Sequence, residues 1–224
     1  AETGRDEATR ERTGLMLSVL QESFWERLSG VVGLKRPTYE AIQRDPEATS
    51  QSWWIVVLLG LANGIALIAT PIVTVFPGMS EEMASSAAEV AAALTFDTTG
   101  RQLMALAAGI LGAILSWYLS SWLLRVIGNR VASRQVTGEE MRRLVAWGYS
   151  PTLASFLTPI PVIGPLLATL GTLWAFVTGV MAVRTAFGVG IWKAIGIELA
   201  VFLVVLVVVM IVVLVTVMIA WPLT

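Results

Sequence analysis

The sequence predicts an all-α, polytopic helical membrane protein with about five transmembrane helices and a proline-broken hairpin between spans three and four. Three observations carry that expectation. Of the 224 residues 56% are hydrophobic and only 14% charged, with a mean hydropathy of +0.76, whereas a soluble domain carries nearer a quarter charged residues. The charges are segregated, which leaves long uncharged runs of the length a bilayer demands. Trp, Pro and Gly punctuate the ends of those runs, as residues that favour the headgroup level or stop a helix should.

A hydrocarbon core about 30 Å thick takes roughly 20 helical residues at about 1.5 Å of rise each. Leu199–Ala220 is uncharged and almost wholly Val, Leu, Ile, Phe and Met. A short β-branched run reads as a buried strand. At this length it fits a spanning helix, which pairs every backbone N–H and C=O internally. Its Leu, Ile, Phe and Val residues contribute roughly −0.3 kcal/mol or better each near the bilayer centre, which favours insertion. Trp53–Phe76 is a second such run, opened by Trp53 and Trp54 and closed by Pro77 and Gly78. Leu103–Leu124 lies between Arg101 and Arg125, and Val162–Val183 ends at Arg184. The predicted spans are therefore 53–76, 103–125, 150–161, 162–184 and 197–220, after an amino segment over 1–50.

The third span is the shortest. Ser150 and Pro151 read as an N-cap and first helical residue, and Pro159, Pro161 and Pro165 then break the helix. About ten residues lie between, against roughly 17 needed to cross, so a re-entrant half-helix and a short tilted span both fit. Charge bias favours a crossing. Arg125, Arg130, Arg134, Arg142 and Arg143 precede the stretch, and Arg184 and Lys193 follow the next run. Both groups face the cytoplasm only if an even number of crossings separates them. The same rule sets the amino end inside, with Arg5, Arg10, Arg12, Arg27, Lys35, Arg36 and Arg44. It sets the loop with Glu81, Glu82, Glu89 and Asp97 outside, and the carboxyl end with it. Ala1–Gly14 is charged and lacks the apolar core of a signal peptide.

Outside the bilayer, residues 1–13 are polar and read as disordered. Met16, Leu20, Phe24, Leu28 and Val31 share one face of an amphipathic helix over about 15–32, with Ser18, Glu22, Glu26 and Ser29 opposite. Glu22 and Glu26 weaken attraction to anionic lipid, so packing under the chain's own spans is expected over lying among headgroups. A short helix bracketed by Pro37 and Pro46 leads into the first span. Ser80–Leu94 predicts an Ala-rich helix on the outer face. Thr137 and Glu140 have capping-box spacing and launch an inner helix, whose Arg142 and Arg143 read first as a solvated basic loop, with contact to lipid phosphates as the alternative.

His and Cys are both absent. Thiol chemistry, disulfides, imidazole bases and His- or Cys-ligated metal or haem are thereby excluded. No cofactor is expected, and no nucleophile–base pair or paired carboxylates is placed for hydrolysis, so the chain does not read as an enzyme. A net charge of −1 draws in no nucleic acid. Glu198 is the one carboxylate within an apolar run, and an ion pathway is one use for such an acid. Its place near the inner end of the last span predicts instead an interfacial group that reaches the headgroups or pairs with Arg184 or Lys193. Gly60, Asn63 and Gly64 form a GxxxG pattern with a buried amide, and Ala105, Gly109 and Ala113 make a similar stripe on the second span. Small residues let helices approach closely. Packing within one protomer is the expected use, and a homodimer contact is the alternative. Trp117, Tyr118 and Trp122 read as interface anchors or fillers, since the usual pigment ligand is missing.

Arg36, Pro37, Tyr39 and Ile42 precede a Trp-rich first span. The basic loop after span two leads to Gly148, Tyr149, Ser150 and Pro151, and the hairpin follows with Pro159, Pro161, Gly164 and Pro165. Lys193, Ala194 and Ile195 then open the last span. That order resembles the Yip domain family of five-span proteins over roughly residues 35–220. The resemblance implies a helical membrane bundle with a cytosolic amino end and an outer or lumenal carboxyl end. Eukaryotic members are linked to vesicle traffic, membrane shaping and Rab GTPases, but this amino segment carries no motif matching those contacts. Thirteen Arg against two Lys points to a GC-rich, bacterial source and hence a bacterial cytoplasmic membrane. The function expected is a non-enzymatic membrane organiser or interaction partner, set in the lipid bilayer with a membrane-protein partner or a second copy. An accessory subunit of a larger membrane complex is one alternative. A small channel or permease, with the hairpin and Glu198 lining a path, is the other.

Overall fold

The computed structural model describes residues 24–69 and 98–220. All regular structure there is helical. α1 spans Phe24–Val32, α2 Arg36–Arg44, α3 Ala48–Ala69, α4 Thr98–Val131, α5 Gly138–Gly148, α6 Ile163–Phe187 and α7 Ile191–Ala220; a 3₁₀ segment covers Ser150–Leu157. Among the described residues four helices are long and apolar enough to cross a membrane: Ala48–Ile68, Gln102–Val131, Ile163–Phe187 and Ile191–Val208. The chain is thus an all-helical integral membrane protein. Residues 1–23, with the polar start and the first half of the amphipathic stretch, lie outside the described residues. So do the anticipated outer helix over 80–94 and the carboxyl-terminal tail.

Local sequence explains the element ends. Leu34 takes a left-handed conformation (φ 57°), and the Lys35 N–H returns 2.8 Å to the Gly30 carbonyl, satisfying an orphan acceptor at the end of α1. Pro37 sits in the first turn of α2, where a missing N–H costs nothing. At α5 the capping box is closed: the Glu140 N–H donates to Thr137 Oγ1, and the Thr137 N–H donates 2.8 Å to Glu140 Oε2.

A close backbone contact joins α3 to α4. A Cβ on Gly60 would lie 2.5 Å from the Ile110 Cα, and one on Gly64 would lie 2.7 Å from the Leu106 Cα. One on Gly109 would strike the Gly60 carbonyl. The two backbones therefore touch, antiparallel, along the stripe formed by Gly60, Gly64, Ala105 and Gly109. Toward the amino end of α3 the same pair meets through Trp53 and Trp117, edge to face at 5.0 Å.

The stretch after α5 differs from a spanning α-helix. It runs beside α6, with Gly148 opposite Thr178 and Gly179, Pro151 opposite Gly171, and Leu157 opposite Gly164. The register from Gly164 to Thr178 covers about 21 Å of α6 at its helical rise, less than a core of about 30 Å. The corner at its end is strained. Val162 has φ 67° and ψ −55°, and the Ile163 N–H donates 2.7 Å to the Pro161 carbonyl, a γ-turn of the uncommon positive-φ kind. Gly164 follows at a point where any Cβ would meet the Leu157 carbonyl.

The core lies where α5 fills the space between α3, α4 and α6. Trp147, Met141, Leu144 and Leu124 are buried there, with Val183, Phe187, Ile197 and Val201 from α6 and α7. Phe24, Leu28 and Val31 of α1 pack onto the same cluster, Phe24 against Trp147 at 5.3 Å. Farther along α7, Phe202, Leu203, Leu206 and Val207 are exposed, as lipid-facing side chains should be.

The glycine seam yields a direct expectation. Gly60→Leu and Gly109→Leu force backbone apart, so each lowers the thermal unfolding midpoint in mild detergent, by at least the 1–3 kcal/mol typical of overpacking, roughly. Gly112→Leu, where a Cβ meets nothing within 4 Å, leaves it unchanged.

Candidate functional site

The Gly148–Pro151 motif sits at the centre of the bundle, at the junction of α5 and the 3₁₀ segment. The cap of α5 is Tyr149, whose N–H donates to the Val145 carbonyl. Its phenol donates 3.2 Å to Glu198 Oε1 of α7. Glu198 is 3% exposed, and its Oε2 has no partner among the described residues. Gly179 makes room for this carboxyl: a Cβ there would lie 2.6 Å from Glu198 Oε1. The Thr178 hydroxyl donates to the Gly148 carbonyl, tying α6 to the last turn of α5.

Glu198 therefore departs from the sequence expectation. It neither reaches the headgroups nor pairs with Arg184 or Lys193, which are exposed and make no ion pair among the described residues. α7 begins at Ile191, about two turns earlier than the apolar run, so residue 198 lies inside the bundle and faces Tyr149. The void beside it, lined by Leu124, Met141, Val145 and Val183 with the two polar partners, holds about 10 Å³. That is the lower limit for one water. A larger cavity of about 260 Å³ lies on the other side of Tyr149, between α3, α4 and Thr152.

The small-residue positions meet one another within the chain. Gly60, Gly64, Ala105 and Gly109 are engaged in the α3–α4 seam. Asn63 does not bridge that seam; it is exposed and lines the 260 Å³ cavity with Ala113. Pro159, Pro161 and Pro165 are exposed at the corner, and Gly164 is buried within it. Trp117 is a filler that donates Nε1–H to the Arg142 carbonyl at 2.8 Å, while Trp122 faces outward.

Two buried arginines form a clamp that the sequence reading missed. Arg27, 2% exposed, pairs with Asp45 and donates 2.9 Å to Gln51 Oε1. Arg143, expected in a solvated loop, is 6% exposed and donates 2.7 Å to the Gln43 carbonyl and 3.2 Å to Thr49 Oγ1. Burial pulls its guanidinium below the usual range, and Glu140, Glu139 and Asp45 oppose that pull. A signal existed for Arg27: it shares the helix face of Phe24, Leu28 and Val31, a place where a solvated arginine does not belong.

Chemically, a phenol bonded to a sealed carboxyl offers no substrate-facing nucleophile. Among the described residues no group of three His, Cys, Asp or Glu could hold a metal ion. The arrangement fastens α5, α6 and α7 together. Tyr149→Phe strands the Glu198 carboxyl and costs about 1–3 kcal/mol, read as a lower unfolding midpoint. Tyr149→Phe with Glu198→Leu removes both partners and costs less than Tyr149→Phe alone. Asp45→Ala leaves the Arg27 charge buried and costs about 3 kcal/mol in the same measurement.

No curated protein and no solved structure matches the chain. Comparison with protein-family models matches residues 34–214 to the Yip1 domain. That match begins just before Arg36 and Tyr39, takes in the Gly148–Pro151 motif and the proline corner, and runs into the last helix. The resemblance read from those residues is thereby confirmed: the chain belongs to the Yip1 domain family.

Proposed function

We propose that this chain is a non-catalytic membrane organiser or interaction partner, built as a helical bundle with a lipid-facing exterior. The close packing around its buried carboxyl carries this reading. The one intramembrane carboxyl among the described residues sits in a void of about 10 Å³, and its Oε1 accepts from Tyr149. A conduit needs connected polar space, so the channel alternative loses its main support. An accessory subunit is the same reading with one fixed partner.

The bacterial cytoplasmic membrane, with the amino end inside, is the location this reading takes. α1, α2, α5 and α4 pack together, and they carry Arg27, Arg36, Arg44, Arg125, Arg130, Arg142 and Arg143. Such a gathering of basic residues belongs on the cytoplasmic side.

Three measurements test the reading. Purified from its native membrane in mild detergent, the chain should carry the mass of a further protein or copy; a constant single-protomer mass overturns it. In proteoliposomes, wild type and Glu198→Gln should both pass ions no faster than empty vesicles, and flux that depends on Glu198 restores the channel. Ser133→Cys, unambiguous because the chain has no native Cys, should resist an impermeant maleimide in intact cells. Labelling from outside reverses the orientation.

A further inference from the structure

α4 and the start of α5 enclose a cavity of about 150 Å³ lined by Tyr118, Ser121, Trp122, Arg125, Gly138 and Arg142. Two guanidinium groups converge on it. A Cβ placed on Gly138 would lie 3.5 Å from Arg125 Nη1 and 3.7 Å from Arg142 Nη1. Those nitrogens therefore stand within roughly 7 Å of each other, where like charges repel. Neither arginine forms an ion pair among the described residues, whose salt bridges are Arg27–Asp45, Arg36–Glu40 and Arg44–Glu40. The acids of the same helix form no ion pair with either arginine: Glu140 is bound to Thr137 in the capping box, and Glu139 is exposed.

Arg142 is also held in place. The Arg142 guanidinium lies 5.5 Å from the Tyr118 ring centroid, a cation–π contact. Its own carbonyl accepts from Trp117 at 2.8 Å. Gly138, without a Cβ, keeps the space between the two forks open.

Depth gives the cavity its setting. The uncharged run of α4, Leu103–Leu124, has about the length that crosses a core of about 30 Å. It ends beside Arg125. Trp122 and Tyr118 are exposed, as aromatic residues at the headgroup level are, and Arg125 follows within a turn.

We propose that this cavity binds a phosphate group, with Arg125 and Arg142 donating to its oxygens from two sides. An anionic oxygen accepts at roughly 2.8 Å from a guanidinium nitrogen, so a phosphate fits the gap between them. Planar forks suit that geometry better than lysine would. A phospholipid headgroup and free inorganic phosphate share this chemistry. The site stands whatever protein the spans hold.

The test uses the full chain in phosphatidylcholine nanodiscs containing phosphatidylglycerol, with retained lipid read by native mass spectrometry. Wild type should keep one phosphatidylglycerol. Arg125→Gln and Arg142→Gln should each lower its retention about tenfold, the loss of one charge-assisted contact. Arg130→Gln, an exposed charge farther along α4, should leave it unchanged. Unfolding midpoints without added lipid report folding. If Arg142→Gln unfolds through loss of its contact with Tyr118, Arg125→Gln alone decides. In a second arm, inorganic phosphate is titrated onto the chain in detergent. A rise in midpoint that Arg125→Gln abolishes assigns the site to free phosphate, and retained phosphatidylglycerol without that rise assigns it to lipid. Equal retention in wild type and both variants, with no response to inorganic phosphate, overturns the proposal. So does an equal loss in Arg130→Gln.

Discussion

Two apolar helices gain little by touching inside a bilayer, because lipid tails are as apolar as their own side chains. Closeness must supply the attraction, and here it comes from bare backbone. Gly60, Gly64 and Gly109 bring α3 and α4 together at distances no side chain tolerates. Much of the rest is arranged on that seam. It sets Trp53 against Trp117, which in turn fixes the carbonyl of Arg142 and so the start of α5. α5 then presents Trp147 to α1, Gly148 to α6 and its cap Tyr149 to α7.

The second support is polar, at the end of the bundle where the amino segment docks. Burying a guanidinium is expensive unless its donors are satisfied. Arg143 meets much of that demand through its two terminal nitrogens, with a carbonyl from α2 and a hydroxyl from α3, while its Nε has no partner among the described residues. Arg27 is held by Asp45 and Gln51. These bonds make α1 and α2 part of the core. The Tyr39 hydroxyl, donating 3.0 Å to the Val31 carbonyl, closes the pair on itself.

The helical class was legible from composition alone, since little else accounts for uncharged runs of this length. So was the capping box at Thr137, because its spacing is a local rule. Glu198 was misread for a physical reason: its depth was judged from the start of the apolar run, but α7 begins at Ile191 and carries Trp192 and Lys193 as its first turn. Arg143 was misread because a basic residue in a loop between spans is solvated by default, and only tertiary contact with Gln43 and Thr49 overrides that. The 150–161 stretch was legible as too short, whereas its 3₁₀ form was not, because that form follows from packing against Gly171 and Gly164. The small-residue stripes announced a close contact, and sequence alone left open whether the partner was internal.

The corner at Val162 has a mechanical consequence. Pro159, Pro161 and Pro165 strip it of backbone donors, and Gly164 locks it against the Leu157 carbonyl. Such an elbow bends poorly. Any piston-like travel of α6 normal to the sheet of lipid must drag the Ser150–Leu157 rod along, and with it the phenol that grips α7.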